Sequence, residues 1–233
     1  MLLGALSFFS ASPFYIISND KKSLITGLKA VLKVIPLWST GVLMSVTVSQ
    51  GSITLVQTMS MDRHITSSFE IPGASFSIFF FIAGILWILF YDHVMVPLAS
   101  RITGKPFYLS SKLKMGIGIL LSILFMLVLA LIEYIRRGIA IKQGLSDNPE
   151  AVVNMPAMWI MLPHSLIGIA EAMNSVGQCE VFYSEFPKSM SSIASTLRDL
   201  SLSVGSLVAA WAYGPCDLAA VKDFQEQDYI GDD

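Results

Sequence analysis

Charge is excluded from six long segments of this chain. Residues 1–19, 34–61, 71–91, 115–132, 151–170 and 200–216 contain no Asp, Glu, Lys or Arg. A helix needs about 20 predominantly apolar residues to cross roughly 30 Å of hydrocarbon, and soluble domains rarely carry even one such run. Only 14% of the residues are charged and 54% are hydrophobic, against roughly 25% charged in an ordinary soluble domain. The chain therefore reads as a polytopic membrane protein with the lipid bilayer as its solvent. A net charge of −2 argues against nucleic-acid binding, which needs a basic surface to neutralise phosphates. Cys179 and Cys216 lie far apart in sequence, without the spacing of a zinc site or a disulfide framework.

The segments read as helices, because backbone polar groups in lipid must be satisfied within the segment itself. The alternation of a barrel strand is absent. Five clear spans are expected near 31–57, 72–94, 113–134, 158–182 and 193–213. Residues 1–19 lack a basic start and an Ala-x-Ala-like cleavage site, and read as the remnant of a span rather than a signal peptide. Lys21, Lys22, Lys29, Lys33, Arg101, Lys105, Lys112, Lys114, Lys188 and Arg198 fall on one side of such a bundle. Arg63, Arg136, Arg137, Lys142 and Lys222 fall on the other. The positive-inside rule puts the first set in the cytoplasm. The acidic stretch 214–233 has no apolar periodicity and reads as a disordered tail outside.

Polar residues inside the spans carry the functional signal. Glu171 follows twenty uncharged residues, and a carboxylate at the bilayer centre costs roughly 2.5–3.5 kcal/mol on insertion scales. His164, Glu171 and Gln178 are spaced by seven and share one helix face, with Gly168, Asn174 and Ser175 beside it. Such a stripe suits a watered cavity, and it equally suits an interhelical hydrogen-bond network. Pro163 invites a kink near the start of that helix. The span at 31–57 is rich in Ser, Thr and Gln, and Gln50 beside Gly51 is a candidate pathway residue. Asp62, Arg63 and Glu70 read as loop pairing, and Asp92 with His93 as a solvated helix end or a charge latch. Gly116 and Gly118 read as a helix-packing site. No zinc-protease, nucleophile-elbow or phosphate-loop motif occurs, so no enzymatic activity is expected.

The segments LKAVLKVIPLWSTG from Leu28, MDRHITSSFEIPGASF from Met61 and YDHVMVPLASRITGKP from Tyr91 occur in that order. They are followed by LKMGIGILLS from Leu113 and MLPHSLIGIAEAMNSVGQCEVFYSEFPKSM from Met161. Together they resemble the plant NRT1/PTR family, the proton-coupled oligopeptide transporters of the major facilitator superfamily. The resemblance implies an all-α transmembrane fold, the C-terminal helix bundle of that twelve-helix architecture. Residues 1–19 would be the end of helix six and 20–213 helices seven to eleven, with the N-terminal six helices and the twelfth missing. Glu171 then matches the family's helix-ten glutamate, implicated in substrate or proton binding. Bacterial peptide-transporting relatives place acids just before the position of Gln50, where this chain has Val48 and Ser49. Nitrate-binding relatives can use a histidine there, and this chain has none.

The resemblance implies a proton-coupled transporter of a small solute, such as nitrate, a peptide, a hormone or a glucosinolate-like compound. The coupling ion would be H+, with no other cofactor. The expected pathway residues are Glu171, Asn174, Gln178, Gln50 and His164. The plasma membrane is the expected location ahead of the vacuolar membrane. The alternative is a non-transporting membrane fragment that associates with the missing N-terminal half or with a full-length relative.

Overall fold

The structure, a computed structural model, describes residues 21–66, 69–105, 108–145, 152–186 and 191–230. The span remnant expected at 1–19 lies outside the described residues. Seven α-helices account for most of the rest: α1 (Lys21–Val48), α2 (Gly51–Met59), α3 (Ile78–Phe90), α4 (Val96–Thr103), α5 (Ser111–Lys142), α6 (Met161–Glu185) and α7 (Ser191–Ile230).

The first expected span is two helices in line. Ser49 and Gln50 interrupt it, and α2 restarts at Gly51. The Ser49 hydroxyl turns back onto the Ser45 carbonyl at 2.7 Å, a bond that loosens the backbone ladder. The Gln50 N–H reaches Thr47 O rather than the carbonyl four residues back. The second span also bends without breaking. Tyr91–Met95 forms a single π-turn between α3 and α4. Pro97, in the first turn of α4, has no N–H to give to the ladder, and the wider turn absorbs the mismatch. Gly104, at φ +64°, then ends α4 in the left-handed conformation that favours glycine.

Helix α5 has 32 residues, about 48 Å of helix, which exceeds the roughly 30 Å hydrocarbon thickness. Its surplus end carries Glu133, which binds Arg136 and Arg137 at 2.8 and 2.6 Å. Among the described residues, Leu32–Met59, Gly73–Thr103 and Ser111–Lys142 are each long and apolar enough to cross a membrane. Their outward faces show Phe81, Ile85, Leu86, Leu120 and Leu127 to the surroundings. Helices α6 and α7 occupy the fourth and fifth expected spans and are more polar.

Helix α6 is the hub, packed against α5, α3, α1 and α7, while α1 pairs with α7. Because lipid supplies no hydrophobic drive between helices, close approach of backbones does the work. A Cβ on Gly168 would collide with the Phe80 carbonyl of α3, and one on Gly118 would sit 2.8 Å from the Ala170 carbonyl. Gly118 is thus the packing half of the Gly-x-Gly pair; a Cβ on Gly116 would meet nothing. Helix α7 is seated on α1 by side-chain bonds to its carbonyls: Trp38 Nε1 to Leu197 O and Ser45 Oγ to Leu202 O, both 2.8 Å.

Three features differ from the sequence reading. Pro163 lies in the first turn of α6, where its missing N–H needs no partner, so it starts the helix rather than kinking it. The acidic stretch from 214 is not a disordered tail: α7 continues through it to Ile230. Ala219, Ala220, Gln225, Glu226 and Gln227 are strong helix formers, and they outweigh the lack of an apolar stripe. Finally, the loops at one end form short ladders. β1 (Met61–Asp62) pairs in parallel with β4 (Val153–Pro156), and β2 (His64–Thr66) pairs antiparallel with β3 (Phe69–Glu70). Met61, Phe76, Ile132, Val153 and Ile160 make the apolar core beneath them.

Candidate functional site

The break between α1 and α2 opens one side of a cavity of about 200 Å³. Gln50 and His164 line it together with Thr47, Thr54 and Ser77, and Phe80, Phe81 and Phe125 form its aromatic wall. No carboxylate or ammonium group is in the lining. Gln50 is fixed by its amide, which donates to Tyr213 Oη on α7 at 2.8 Å. His164 Nδ1 is 2.9 Å from Ile160 O. A carbonyl only accepts, so a hydrogen sits on Nδ1. The walls offer the hydrogen-bonding groups of Thr47, Gln50, Thr54, Ser77 and His164, and ring faces.

Of the five residues expected in the pathway, the structure brings only Gln50 and His164 to this cavity. Asn174 and Gln178 are each 2% exposed and sit at helix contacts. Asn174 lies against Gly118 of α5, and Gln178 against Gly41 of α1, which Ser201 of α7 also approaches. Asn174 Oδ1 and Gln178 Nε2 have no hydrogen-bond partner. Their face of α6 turns toward neighbouring helices, so it is a packing stripe and not the cavity wall. Glu171 lies between the two sets. Its Oε2 is buried without a hydrogen-bond partner, and the nearby charge it feels is that of Arg198 on α7. Arg198 spends its own bond on Ser175 Oγ, at 2.5 Å.

In the sequence Arg198 reads only as part of the cytoplasmic charge count, and nothing there marks Tyr213 or the three phenylalanines. The one signal for Arg198 was its position just before an uncharged run, where a buried carboxylate elsewhere in the bundle needs a cation.

A second charged cluster joins α3, α5 and α6. Lys114, with its side chain only 7% exposed, binds Glu180 at 2.5 Å. Ser111 Oγ donates to the other Glu180 oxygen at 2.7 Å, and the ammonium lies 5.2 Å from the centre of the Tyr91 ring. Asp92 lines the cavity beside them. His93 instead turns back to Leu89 O, exposed, so the latch at this end is built from Lys114 and Glu180 rather than from Asp92 and His93. At the opposite end Arg63 pairs with Glu70 and His64 with Asp62, the loop pairing that the sequence suggests.

A bundle in which three helical stretches among the described residues are long and apolar enough to cross a membrane, one of them broken beside a mainly apolar cavity, defines an integral-membrane protein. The comparisons name the family. The POT family model matches residues 4–226, and the chain belongs to that family of transporters. It is 48% identical over 205 residues to protein NRT1/PTR FAMILY 1.2 of Arabidopsis thaliana, covering 87% of this chain and 33% of the relative. It is 48% identical over 202 residues to NRT1/PTR FAMILY 1.1 of the same plant, covering 86% and 33%. The chain thus spans about a third of the length of these curated relatives. Its fold matches the crystal structure of an auto-inhibited POT family peptide transporter, with a TM-score of 0.64 at 22% identity. That match covers 91% of this chain and 37% of the other. The fold is therefore all-α transmembrane and of the major-facilitator type.

Proposed function

We propose that this chain supplies one wall of a proton-coupled carrier for a small solute in the plasma membrane. The observation that carries the reading is the cavity at the α1–α2 break, where Gln50 and His164 meet three aromatic rings. Broken helices recur at transporter binding sites because unwound backbone and half-helix ends are free to meet a ligand. Glu171 is the proton-binding group, with H+ as the coupling ion. Asn174 and Gln178 act through the packing of α6 rather than by touching solute.

Alternating access needs a second bundle to rock against the first. Residues 20–213 correspond to the C-terminal bundle, and the partner bundle comes from further helices of the same architecture or from a full-length relative. The candidate solutes are nitrate, peptides, hormones and glucosinolate-like compounds. A cavity with no fixed charge and three ring faces favours those with an apolar surface.

Uptake into oocytes at acidic external pH tests the reading. Gln50→Ala and His164→Ala should each raise KM for the transported solute by about two- to tenfold, as loss of one neutral hydrogen bond does. Unchanged KM in both variants would remove the cavity from the pathway.

A further inference from the structure

Helix α7 is held on α1 by two side-chain bonds to its carbonyls, and on α6 by Arg198. The α6 contact is the unusual one. Arg198 Nη2 donates to Ser175 Oγ at 2.5 Å, although a carboxyl group stands one turn away on the same face of α6. Glu171 precedes Ser175 by four residues, about 6 Å along the axis. Its Oε2 is buried and has no hydrogen-bond partner. An ionised carboxylate with an orphan oxygen inside a membrane bundle is far costlier than a protonated one. The arrangement is that of Glu171 carrying its proton, with the guanidinium parked on a neutral hydroxyl.

We propose that Arg198 is the movable counter-ion of Glu171. It rests on Ser175 while Glu171 is protonated, and it turns onto the carboxylate when the proton leaves, so that the proton on α6 sets the seat of α7. This rests on the reading of Glu171 as the proton-binding group and adds its partner and its mechanical output.

The other charges around α6 are engaged elsewhere or face away. Lys114 of α5 is bound to Glu180, and Lys33 of α1 to Glu185. Asp92, in the π-turn after α3, lines the cavity beside Lys114. Asp199 of α7 is exposed. On α6 itself His164 lies seven residues before Glu171 and bonds Ile160 O. Arg198 alone among the described cations is placed to answer a charge on Glu171. An arginine suits the role because it stays charged throughout and its planar fork fits both a hydroxyl and a carboxylate.

The test uses the full chain in lipid nanodiscs, with Cys179 and Cys216 replaced by serine and a fluorine label on Leu202→Cys, one turn beyond Arg198. The fluorine shift is followed across pH, and the protonated-carboxyl infrared band is followed on the same samples. The parent should show one label transition that coincides with loss of the Glu171 carboxyl band. Glu171→Gln and Arg198→Gln should each abolish the label transition, and Arg198→Lys should retain it. A label transition that survives in Glu171→Gln or Arg198→Gln overturns the proposal, as does a parent label that does not respond. If the infrared band titrates while the label stays still, the counter-ion coupling fails and the proton site stands. If the band never titrates, both fail.

Discussion

Lys114 and Glu180 form an ion pair of unequal burial: the lysine side chain is 7% exposed and the glutamate 41%. Removing the two partners should therefore have unequal effects. Glu180→Ala leaves a buried ammonium uncompensated and should destabilise the bundle by about 3 kcal/mol, the low end for breaking a buried pair. Lys114→Met keeps the aliphatic packing and leaves Glu180 with Ser111 and water, and should cost less than about 1 kcal/mol. Thermal unfolding of the two variants in the same detergent measures the order. Equal losses would show that the pair is not asymmetric in energy.

Gly168 is where α6 and α3 touch backbone to backbone, since any Cβ there runs into Phe80 O. Gly168→Ala should force the helices apart and destabilise by about 1–3 kcal/mol. It should also enlarge the cavity, which Phe80 and Ile167 both line. Gly116→Ala is the control. A Cβ there meets nothing, and alanine in mid-helix is favoured over glycine by about 0.5–1 kcal/mol. Opposite signs in unfolding temperature are expected from two changes of the same chemistry.

The loop between α2 and α3 has its own acid limit. Asp62 accepts the His64 backbone N–H at 3.0 Å and lies 2.9 Å from the ring nitrogen. The backbone bond foremost, then the ring, hold its carboxyl below the ordinary value of 3.8. A group whose pKa is depressed by folding contributes stability above its unfolded pKa, and that contribution is lost as pH falls through the folded value. Protection of the His64 amide against hydrogen exchange should therefore hold from neutral pH down past 3.8 and fail only below it. Asp62→Asn should remove that acid limit.

The sequence made the membrane fold legible because lipid imposes a simple rule: long uncharged runs become helices. The uncharged runs at 71–91 and 115–132 are helical over nearly their whole length for this reason. What the runs hid was interruption. Ser49 and Gln50 sit in an uncharged segment, and the break shows only in the structure, where the Ser49 hydroxyl competes for Ser45 O and the Gln50 N–H turns to Thr47 O. The ladders at 61–62 and 153–156 join short segments ninety residues apart, beyond the reach of any periodicity. Among candidate site residues, Glu171 stood out because charge is costly there. Its placement relative to Gln178 did not, since a spacing of seven shows a shared face and not what that face meets. Arg198 and Tyr213 reach α6 and Gln50 from another helix, and no local pattern encodes that approach.

We propose above that this chain takes part in proton-coupled solute transport with Glu171 as the proton-binding group. The most direct test is acid-dependent uptake into oocytes that express the chain alone and together with full-length NRT1/PTR FAMILY 1.2. Nitrate, a dipeptide and a plant hormone are each supplied, and surface labelling establishes that the chain is at the membrane. The expected result is uptake of at least one solute above that of the relative alone, lost on Glu171→Gln. No added uptake of any solute with the chain at the surface, or added uptake unchanged by Glu171→Gln, would contradict it.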